Sequence, residues 1–600
     1  MNQPIDVVEI TRIDLERLGK TIYPEQKEMI TPMFEALQKK GIVFVGQGPP
    51  GMGKTYVVAG VTKALVQQGK RVCIAVPSYA HLKDVMGKHL SDLGVEYATM
   101  RGLSALTENE GCPLLKGKLP TPIFCSDMKG ASTGPMADKC KTIECAVRRE
   151  QKRASEAKVV LTVFHKLIYK PSLLKDFDVI IFDESHGLET ALRNARIIKV
   201  RRSDVLKMSD LFPQHKNVFD KVIASLDRLA SRHKEEVPAT FVERQVIEPL
   251  KGIIGDIQEN MRRLEEAGKS GDEDLVNAYY SLYWSVNSLE RLDQHRFVYH
   301  NEAVLGIPLR ITFKPFQNMS STRENSIALI SATIESPRFH ANDSGFQFHT
   351  IAPPIQIESS RLVETRYRKR PIFGLIDGPI LKKDLSDMPT YFLAREEANY
   401  IIGSIVPLFK YPALILCRNG EDANSIATHL INIREIKDRL YIFEDEDTKL
   451  ELDAIETKLN NMIENGRNII VTTAASRLWE GANVRGLRFL VIDALPYASP
   501  QSYEKFETTA WGTWRTSKTF RFMIRKLQQG VGRLIRTDKD PWGLVTVVDG
   551  RFNAQWGTIR SVLPSYLKDP RILKFVTRKK LKDELTAAIS KLEKGEFPAI

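Results

Sequence analysis

The sequence predicts an α/β protein with two parallel-sheet domains in tandem. Ten short runs rich in β-branched residues recur along the 600-residue chain, and such runs are typical of parallel strands that are buried on both faces. Segments with helical periodicity, such as residues 54–68, separate many of these runs. That alternation favours βα units, and the runs fall into two groups of five, which predicts one sheet for each group.

The first group of predicted strands lies before residue 340 and the second lies after residue 410. The first group comprises residues 42–48, 71–77, 159–164, 179–184 and 326–333. The second group comprises residues 413–419, 440–445, 468–474, 489–495 and 544–550.

Two gaps in the first group are too long for simple crossovers. A crossover between parallel strands needs little more than a dozen residues, yet about 80 residues separate Pro77 from Val159 and about 140 separate Glu184 from Ser326. Both gaps predict inserted domains, and apolar residues at i, i+3 and i+4 in the second gap predict a helical insert there. We expect the first domain at 1–100, 159–200 and 311–365, a cysteine-containing insert at 101–158, the helical insert at 201–310, and the second domain at 366–600.

A phosphate-binding loop is predicted directly after the first strand. The letters GPPGMGKT match G-x-x-x-x-G-K-T between a strand and a helix, which is the context that this motif needs. Gly48, Gly51 and Gly53 would let backbone amides approach phosphate oxygens at a helix N-terminus. Lys54 would neutralise the β- and γ-phosphates, and the hydroxyl of Thr55 would hold Mg²⁺. The alternative, a turn rich in Gly and Pro, leaves the flanking strand and helix unexplained.

Two acids end the fourth predicted strand. The run VIIFDESH places Asp183 and Glu184 at its carboxyl end. Asp183 would bind Mg²⁺ through water, and Glu184 would orient or deprotonate the attacking water. Strands that end in Asp-Glu are common, so this interpretation depends on the phosphate loop. Upstream, the amide of Gln26 in YPEQKEM would read the adenine edge, although residue type alone does not distinguish it from any exposed glutamine.

A basic motif in the second domain predicts the other side of the nucleotide site. In QQGVGRLIR, Arg533 and Arg536 lie three residues apart and therefore on one helical face. Two guanidinium groups that face a nucleotide bound by the first domain would act as arginine fingers. Taken alone, the motif fits a solvated basic helix face.

Composition favours a partner with negative charge. Lys and Arg total 87 against 74 Asp and Glu, which gives a net charge of +13. Clustered basic residues gain free energy by releasing counterions from nucleic acid, although surface solubility explains the same excess. No apolar run approaches the roughly 18 residues that span a bilayer, and the N-terminus lacks the pattern of a secretory signal. We therefore expect a cytoplasmic protein with no membrane partner.

Four of the six cysteines, Cys112, Cys125, Cys140 and Cys145, lie within 34 consecutive residues. A cytosolic chain does not usually keep structural disulfides. The cluster therefore indicates a metal site or a redox role.

The motifs together resemble those of superfamily 2 helicases. GPPGMGKT, DESH, SAT (331–333), RLWEGANVRG (477–486) and QQGVGRLIR occur in the order of that superfamily, and the last two look like the XPD/DinG branch. That branch has a four-cysteine insert and a helical arch at the places of the two predicted inserts. The resemblance covers nearly the whole chain. It implies two RecA-like domains and an ATP-dependent helicase that moves 5′ to 3′ on single-stranded DNA.

The resemblance also adds residues to the predicted site. It implies that Glu480, Gly481 and Gln529 join the binding of ATP and Mg²⁺, and that the SAT motif couples the nucleotide cleft to the DNA strand. The chain departs from the branch at Asn483, where Asp is common, and at Ser185, where Ala or Cys is common. Neither position supplies a phosphate or metal ligand, so we still expect an ATPase.

In the XPD/DinG branch the four cysteines hold a [4Fe–4S] cluster, for which thiolates are the expected ligands. Structural zinc sites prefer close C-x₂₋₄-C pairs, and only Cys140 and Cys145 are that close, so zinc is the weaker alternative. A metal-free vestige is the third alternative. Some compact DinG relatives, including those associated with type IV CRISPR systems, have a degenerate version of this domain, and this chain looks similarly compact.

The resemblance implies a monomer that acts on single-stranded and duplex DNA. It leaves open RNA–DNA hybrids as substrates, a CRISPR ribonucleoprotein effector as a partner, and DNA repair or CRISPR-linked defence as the pathway. Two other classes of function stay open as well. One is a polypeptide-translocating motor built on the same two domains, and the other is a nucleotide-gated nucleic-acid-binding scaffold that does not unwind.

Overall fold

The structure is a computed structural model, and it describes the greater part of both sheets and of the second insert. The described residues are 6–48, 52–79, 81–102, 110, 113, 145–231, 236–266, 273–287, 295–300, 302–308, 325–334, 340–341, 344–346, 355–356, 376–382, 387–443, 452–473, 478, 484–497, 518–532, 534, 542–563 and 577–596.

The described strands fall into three sheets. In chain order they are β1 (Val43–Gln47), β2 (Val72–Val76), β3 (Ala98–Met100), β4 (Val159–Val163), β5 (Val179–Asp183), β6 (Ile198–Arg201), β7 (Glu236–Val237), β8 (His295–His300), β9 (Ala303–Pro308), β10 (Ser326–Ser331), β11 (Ile355–Gln356), β12 (Ala413–Cys417), β13 (Leu440–Ile442), β14 (Ile469–Thr473), β15 (Phe489–Ile492) and β16 (Leu544–Val547).

Helices follow most strands of the two parallel sheets. In chain order they are α1 (Val7–Arg17), α2 (Pro24–Gln38), α3 (Lys54–Gln67), α4 (Lys88–Asp92), α5 (Ala146–Glu156), α6 (Phe164–Tyr169), α7 (Leu188–Asn194), α8 (Arg202–Leu211), α9 (Lys216–Ser231), α10 (Ala239–Val242), α11 (Glu248–Glu266), α12 (Glu273–Val286), α13 (Met388–Ile405), α14 (Gly420–Ile431), α15 (Leu452–Glu464), α16 (Lys518–Val531), α17 (Gly550–Ala554), α18 (Trp556–Val562) and α19 (Leu581–Glu593). A π-helical turn, His81–Gly87, leads into α4.

The first sheet has the strand order β11-β1-β10-β5-β2-β4-β3, and all of its pairs are parallel. The second sheet has the order β13-β14-β12-β15-β16 and is parallel as well. Each of the ten predicted strands is present, and the α/β fold with two parallel sheets is confirmed. The domain boundaries themselves stay a prediction.

Both parallel sheets are buried on their two faces. In β2, Val72, Ile74 and Val76 pack into one apolar cluster, while Cys73 and Ala75 pack into another on the opposite face. This alternation follows from the period of two along a strand. Because every residue of such a strand is buried, the strand reads as a continuous apolar run, which is why the sequence reveals it.

The insert between β5 and β10 carries helices α8 to α12, as predicted, and also a four-stranded antiparallel sheet in the order β6-β9-β8-β7. The sequence analysis expected helices with few strand signals and missed this sheet. Strands β8 and β9 form a hairpin whose turn includes Glu302 at φ 56°. Gly306 on β9 lies so close to Phe297 that a Cβ atom would overlap its ring, so the hairpin requires glycine there.

Of the four clustered cysteines, only Cys145 belongs to the described residues. It precedes α5 as its N-cap residue, is half-buried and forms no disulfide with another described cysteine. Cys112, Cys125 and Cys140 lie outside the described residues, and within those residues no group of metal-ligating side chains occurs. Across the same residues, no helix is both long and apolar enough to cross a membrane.

Candidate active site

The carboxyl ends of three neighbouring strands bring the predicted motifs together. Strand β10 lies between β1 and β5, with Gln47 opposite Ser331 and Ile330 opposite Asp183. The backbone N–H of Gly48 donates to the carbonyl of Ser331 at 3.3 Å. The phosphate loop, the DESH motif and the SAT motif therefore meet at one edge of the first sheet, where α/β sheets bind ligands.

The described part of the phosphate loop turns sharply into α3. Gly53 adopts φ 81° and ψ 36°, the left-handed conformation that favours glycine. Because Gly53 has no side chain, no side-chain cap occupies the N-terminus of the helix, which leaves it suited to a phosphate. The side chain of Lys54 is almost buried, and its Nζ lies 3.4 Å from the carbonyl oxygen of Gly48.

The amide of Gln26 is fixed against this loop. Its Oε1 accepts a hydrogen bond from the backbone N–H of Tyr23 at 2.9 Å, and its Nε2 donates to the carbonyl of Met52 at 3.0 Å. A Cβ atom at Gly53 would lie 2.5 Å from the same Nε2. Gln26 therefore positions the loop from the first turn of α2. Its contact with adenine stays a prediction.

Asp183 offers a carboxylate oxygen to a cation. Its side chain is buried, Oδ2 lies 3.3 Å from Nε2 of His81, and Oδ1 has no hydrogen-bond partner within the described part of the chain. A buried carboxylate oxygen without a partner is costly unless a ligand satisfies it. The arrangement fits Mg²⁺, whose preferred ligands are oxygens. The half-buried hydroxyl of Thr55, in the first turn of α3, would supply a second ligand.

Asp183 also affects the pKa of its neighbour His81. Burial lowers the pKa of His81, but the hydrogen bond to Asp183 and the charges of Asp183 and Glu184 raise it, and the net pKa is raised. The sequence analysis did not identify His81, because it lies in the π-helical turn after β2, far from both acids along the chain.

Glu184 is held in a strained backbone conformation next to two polar side chains. It adopts φ 50° and ψ 44°, which is uncommon for a residue with a Cβ atom. Its Oε2 lies 3.3 Å from Nδ1 of His186 and 3.5 Å from Oγ of Ser331. Burial raises its pKa, but the bond to His186 and the charges of Lys54, His186 and His81 lower it to about 2. The carboxylate is therefore ionised at neutral pH.

His186 connects this carboxylate to the second sheet. Its Nδ1 lies 2.9 Å from Oγ of Ser331, and its Nε2 lies 2.8 Å from Nε2 of Gln529 on α16. Because an amide nitrogen only donates, this contact is a hydrogen bond when Nε2 of His186 is the acceptor, and Nδ1 then carries the proton and faces Glu184 and Ser331.

A second contact from α16 reinforces the first. Arg525 lies one helical turn before Gln529, and its NH1 lies 3.4 Å from the carbonyl of His186 and 3.6 Å from Oε2 of Glu189. Burial raises the pKa of Glu189, but the charges of Arg193, Arg525 and Arg521 lower it overall. The i, i+4 spacing of Arg525 and Gln529 places both on one face of α16, and this spacing was a signal available in the sequence.

The other predicted site residues cannot be placed. Gly51, Glu480, Gly481, Arg533 and Arg536 lie outside the described residues, and their roles stay predictions. The residues that are described supply a phosphate loop, an oxygen site for a cation and an ionised carboxylate beside them. This set is suited to nucleotide hydrolysis.

Comparisons with known proteins agree with this arrangement. Residues 19–212 match the family described as type III restriction enzyme, res subunit, and residues 404–569 match the family described as helicase C-terminal domain. A probable ATP-dependent helicase of Methanocaldococcus jannaschii is 24% identical over 636 residues, which cover 91% of this chain and 94% of that protein.

Solved structures show the same fold at low sequence identity. An XPD helicase is 15% identical with a TM-score of 0.64, and the match covers 92% of this chain and 99% of that chain. Xpd4 of S. tokodaii is also 15% identical, with a TM-score of 0.59 and the same coverage. The motifs, both matched families and the helicase relative support an XPD/DinG-like superfamily 2 helicase, and therefore an ATP-hydrolysing enzyme, while the solved structures show that the fold is XPD-like.

Proposed function

We propose that this helicase couples ATP hydrolysis to 5′ to 3′ movement along single-stranded DNA and thereby unwinds duplex DNA. The observation that best supports a motor is the hydrogen bond between Gln529 and His186, because it joins the second sheet to the carboxylate beside the phosphate loop. The polarity comes from the resemblance to the XPD/DinG branch.

The first domain would hold the nucleotide. Lys54 and the first-turn amides of α3 would bind the phosphates, and Thr55 and Asp183 would hold Mg²⁺, which neutralises phosphate charge when it is bound. Gln26 keeps the loop in shape through its bond to Met52. Arg533 and Arg536 would approach from the second domain and stabilise negative charge in the transition state.

Glu184 would orient the attacking water. With a pKa of about 2, its carboxylate is a weak base and accepts hydrogen bonds at all physiological pH values. A loose transition state of phosphoryl transfer needs a positioned water more than a strong base. His186 and Ser331 hold the carboxylate from one side, so its position depends on both.

Movement would follow from a change in the contact between the sheets. When α16 shifts relative to the first sheet, the bond from Gln529 to His186 changes, and with it the hydrogen bonds to Glu184 and Ser331. Ser331 begins the SAT motif, and its Oγ also accepts from the N–H of Thr333 at 3.2 Å. If each domain grips the strand differently in the two states, the cycle becomes directional stepping.

Charge and the base of the first insert support a nucleic-acid strand as the track. The net charge is +13, and α5, which follows Cys145, has the basic sequence AVRREQKRASE. Arg101 binds Glu110 and Glu150, each at 2.5 Å, so both ends of the insert are tied together. Sequence-independent affinity from such charges falls as salt rises.

The direct test compares ATP hydrolysis with and without single-stranded DNA, followed by unwinding of duplexes with a 5′ or a 3′ tail. We expect strong stimulation and unwinding of the 5′-tailed duplex only. Unwinding from the 3′ tail would contradict the polarity. Stimulation without unwinding would favour the scaffold, and the absence of stimulation would favour a polypeptide motor.

Two extensions use the same assay. A 5′-tailed RNA–DNA hybrid that is unwound at a similar rate would extend the substrate range to hybrids. Addition of a CRISPR ribonucleoprotein effector that raises the unwinding rate would support a role in defence, whereas equal rates on repair-like duplexes with and without it would favour repair.

We further propose that Cys112, Cys125, Cys140 and Cys145 hold a [4Fe–4S] cluster that stabilises the first insert. Cys145 has a free, half-buried thiol next to the tied ends of the insert, which is compatible with a ligand. We expect Cys140→Ser to lose iron and unwinding while it keeps DNA-independent hydrolysis. Iron-free wild-type protein that unwinds at full rate would exclude the cluster and favour the vestige.

A further inference from the structure

Four aromatic side chains form a continuous row where the first domain meets the second insert. His165 and Tyr169 on α6 lie nearly parallel, with ring centroids 6.4 Å apart and planes at 19°. Tyr169 contacts Trp284 on α12 at 5.2 Å, and Trp284 contacts Tyr283 at 5.3 Å. We name these four residues the aromatic platform.

The aromatic platform is open to solvent. Tyr169 is 44% exposed, and His165 is exposed as well, while Trp284 and Tyr283 are half-buried. Single exposed aromatic residues need no explanation, but a contiguous row of them at a domain junction marks a binding surface.

Tyr169 and Trp284 lie outside the apolar cores that anchor their two helices, whereas Tyr283 also packs against the core of the insert. On α6, Phe164, Leu167 and Ile168 pack into the core of the first domain. On α12, Tyr279 and Leu282 pack into the separate core of the insert. His165 and Tyr169 are four residues apart and share the outer face of α6, so they are displayed on a helix that other residues already anchor.

The position of the aromatic platform suits a strand that passes the motor. Helix α6 begins directly after β4, at the carboxyl edge of the first sheet, where Gly48, Asp183 and Ser331 also lie. Lys166 and Lys170 lie next to Tyr169 along the chain and add positive charge. Flat aromatic faces with basic neighbours are the combination that binds single-stranded nucleic acid without sequence preference.

We propose that the aromatic platform is a stacking site for unpaired bases of single-stranded nucleic acid, with Tyr169 and Trp284 as its principal surfaces. The inference rests on the proposed function and deepens it, because it assigns a base-binding site at the entrance between the first domain and the second insert.

The test separates stacking from charge by removing the bases. Binding of fluorescein-labelled oligo(dT) is compared with binding of an abasic oligomer of equal length, which keeps the phosphates. We expect Tyr169→Ala to weaken oligo(dT) binding about ten-fold, as loss of one base–aromatic stack does, and to leave the abasic affinity unchanged. Tyr169→Trp should keep the wild-type ratio of the two affinities.

The matched control is Tyr400→Ala on α13, since Tyr400 is 71% exposed but lies in the second domain, away from the aromatic platform. It should change neither affinity. Equal losses on both oligomers in Tyr169→Ala, or no loss on either, would overturn the stacking site. If such a result came with strong DNA stimulation of the wild-type ATPase, only the aromatic platform would fail. If the wild type did not bind oligo(dT) at all, the proposed motor would fail with it.

Discussion

The contact between His186 of the first domain and Gln529 of the second predicts how the two domains are coupled during ATP hydrolysis. Gln529→Ala removes the 2.8 Å hydrogen bond to Nε2 of His186. With that partner gone, either ring nitrogen of His186 can carry the proton, so the donor towards Glu184 and Ser331 is no longer fixed. We expect the variant to lose much of its stimulation by single-stranded DNA.

The expected size follows from the nature of the bond. A hydrogen bond between neutral groups contributes about 1 kcal/mol net, which corresponds to roughly a five-fold change in an equilibrium constant. The arrangement in which Gln529 contacts His186 should therefore be about five-fold less populated. His186→Ala removes this bond and also the contacts of 2.9 Å to Ser331 and 3.3 Å to Glu184, so its effect should be larger.

The assay is a double-mutant cycle on the DNA-stimulated hydrolysis rate at saturating ATP. If the bond transmits the coupling, adding Gln529→Ala to His186→Ala should cost nothing further. Gln528→Ala is the matched control, because it removes a glutamine side chain from the preceding position of α16 and leaves the bond between Gln529 and His186 in place. Effects that multiply in the double variant, or an equal loss in Gln528→Ala, would refute the reasoning.

Four further changes test the rest of the site and the second domain. Lys54→Ala should abolish hydrolysis and unwinding in a protein whose thermal denaturation is unchanged, and turnover near the wild-type rate would disprove the phosphate loop. Glu184→Gln should lower turnover by roughly 10² or more. The pKa of Glu184 is about 2, below its ordinary value of 4.5, so the wild-type rate should show no loss from protonation of Glu184 between pH 5 and 8. Arg533→Ala should spare ATP binding and slow hydrolysis by on the order of 10³, so weak binding with normal saturated turnover would remove Arg533 from that role. Arg395→Met should destabilise the second domain by about 3–5 kcal/mol because it leaves the buried Asp493 unpaired. Urea denaturation should show that much of this stability is recovered when Asp493→Leu is added.

The strands of both parallel sheets were predictable from the sequence because burial on two faces leaves few polar positions. In β12, for example, all five residues of Ala413–Cys417 are buried. In the sheet of the second insert, strands β6 and β9 pair across a gap of about 100 residues, so no local turn indicates that pair. The hairpin of β8 and β9 is local, and the sequence analysis missed it.

The candidate site also contains residues that the sequence can predict and residues that it cannot. Lys54 and Asp183 lie in motifs whose chemistry is contained in a few consecutive residues, so the sequence alone can predict their roles. His186 and Gln529 are 343 residues apart, and their contact depends on how two sheets pack together. His81 reaches Asp183 across 102 residues. No local spacing carries such information.

The contact between His186 and Gln529 also explains why a histidine suits position 186. The proposed motor needs an element that the second domain can bias and that changes what the carboxylate of Glu184 contacts. The ring of His186 has two nitrogens, one facing Gln529 and the other facing Glu184 and Ser331. Because a neutral imidazole carries one proton, the partner on one side determines whether the other side donates or accepts. In the proposed mechanism, a shift of α16 would therefore alter the hydrogen bonds of Glu184 and Ser331 without either residue having to move first.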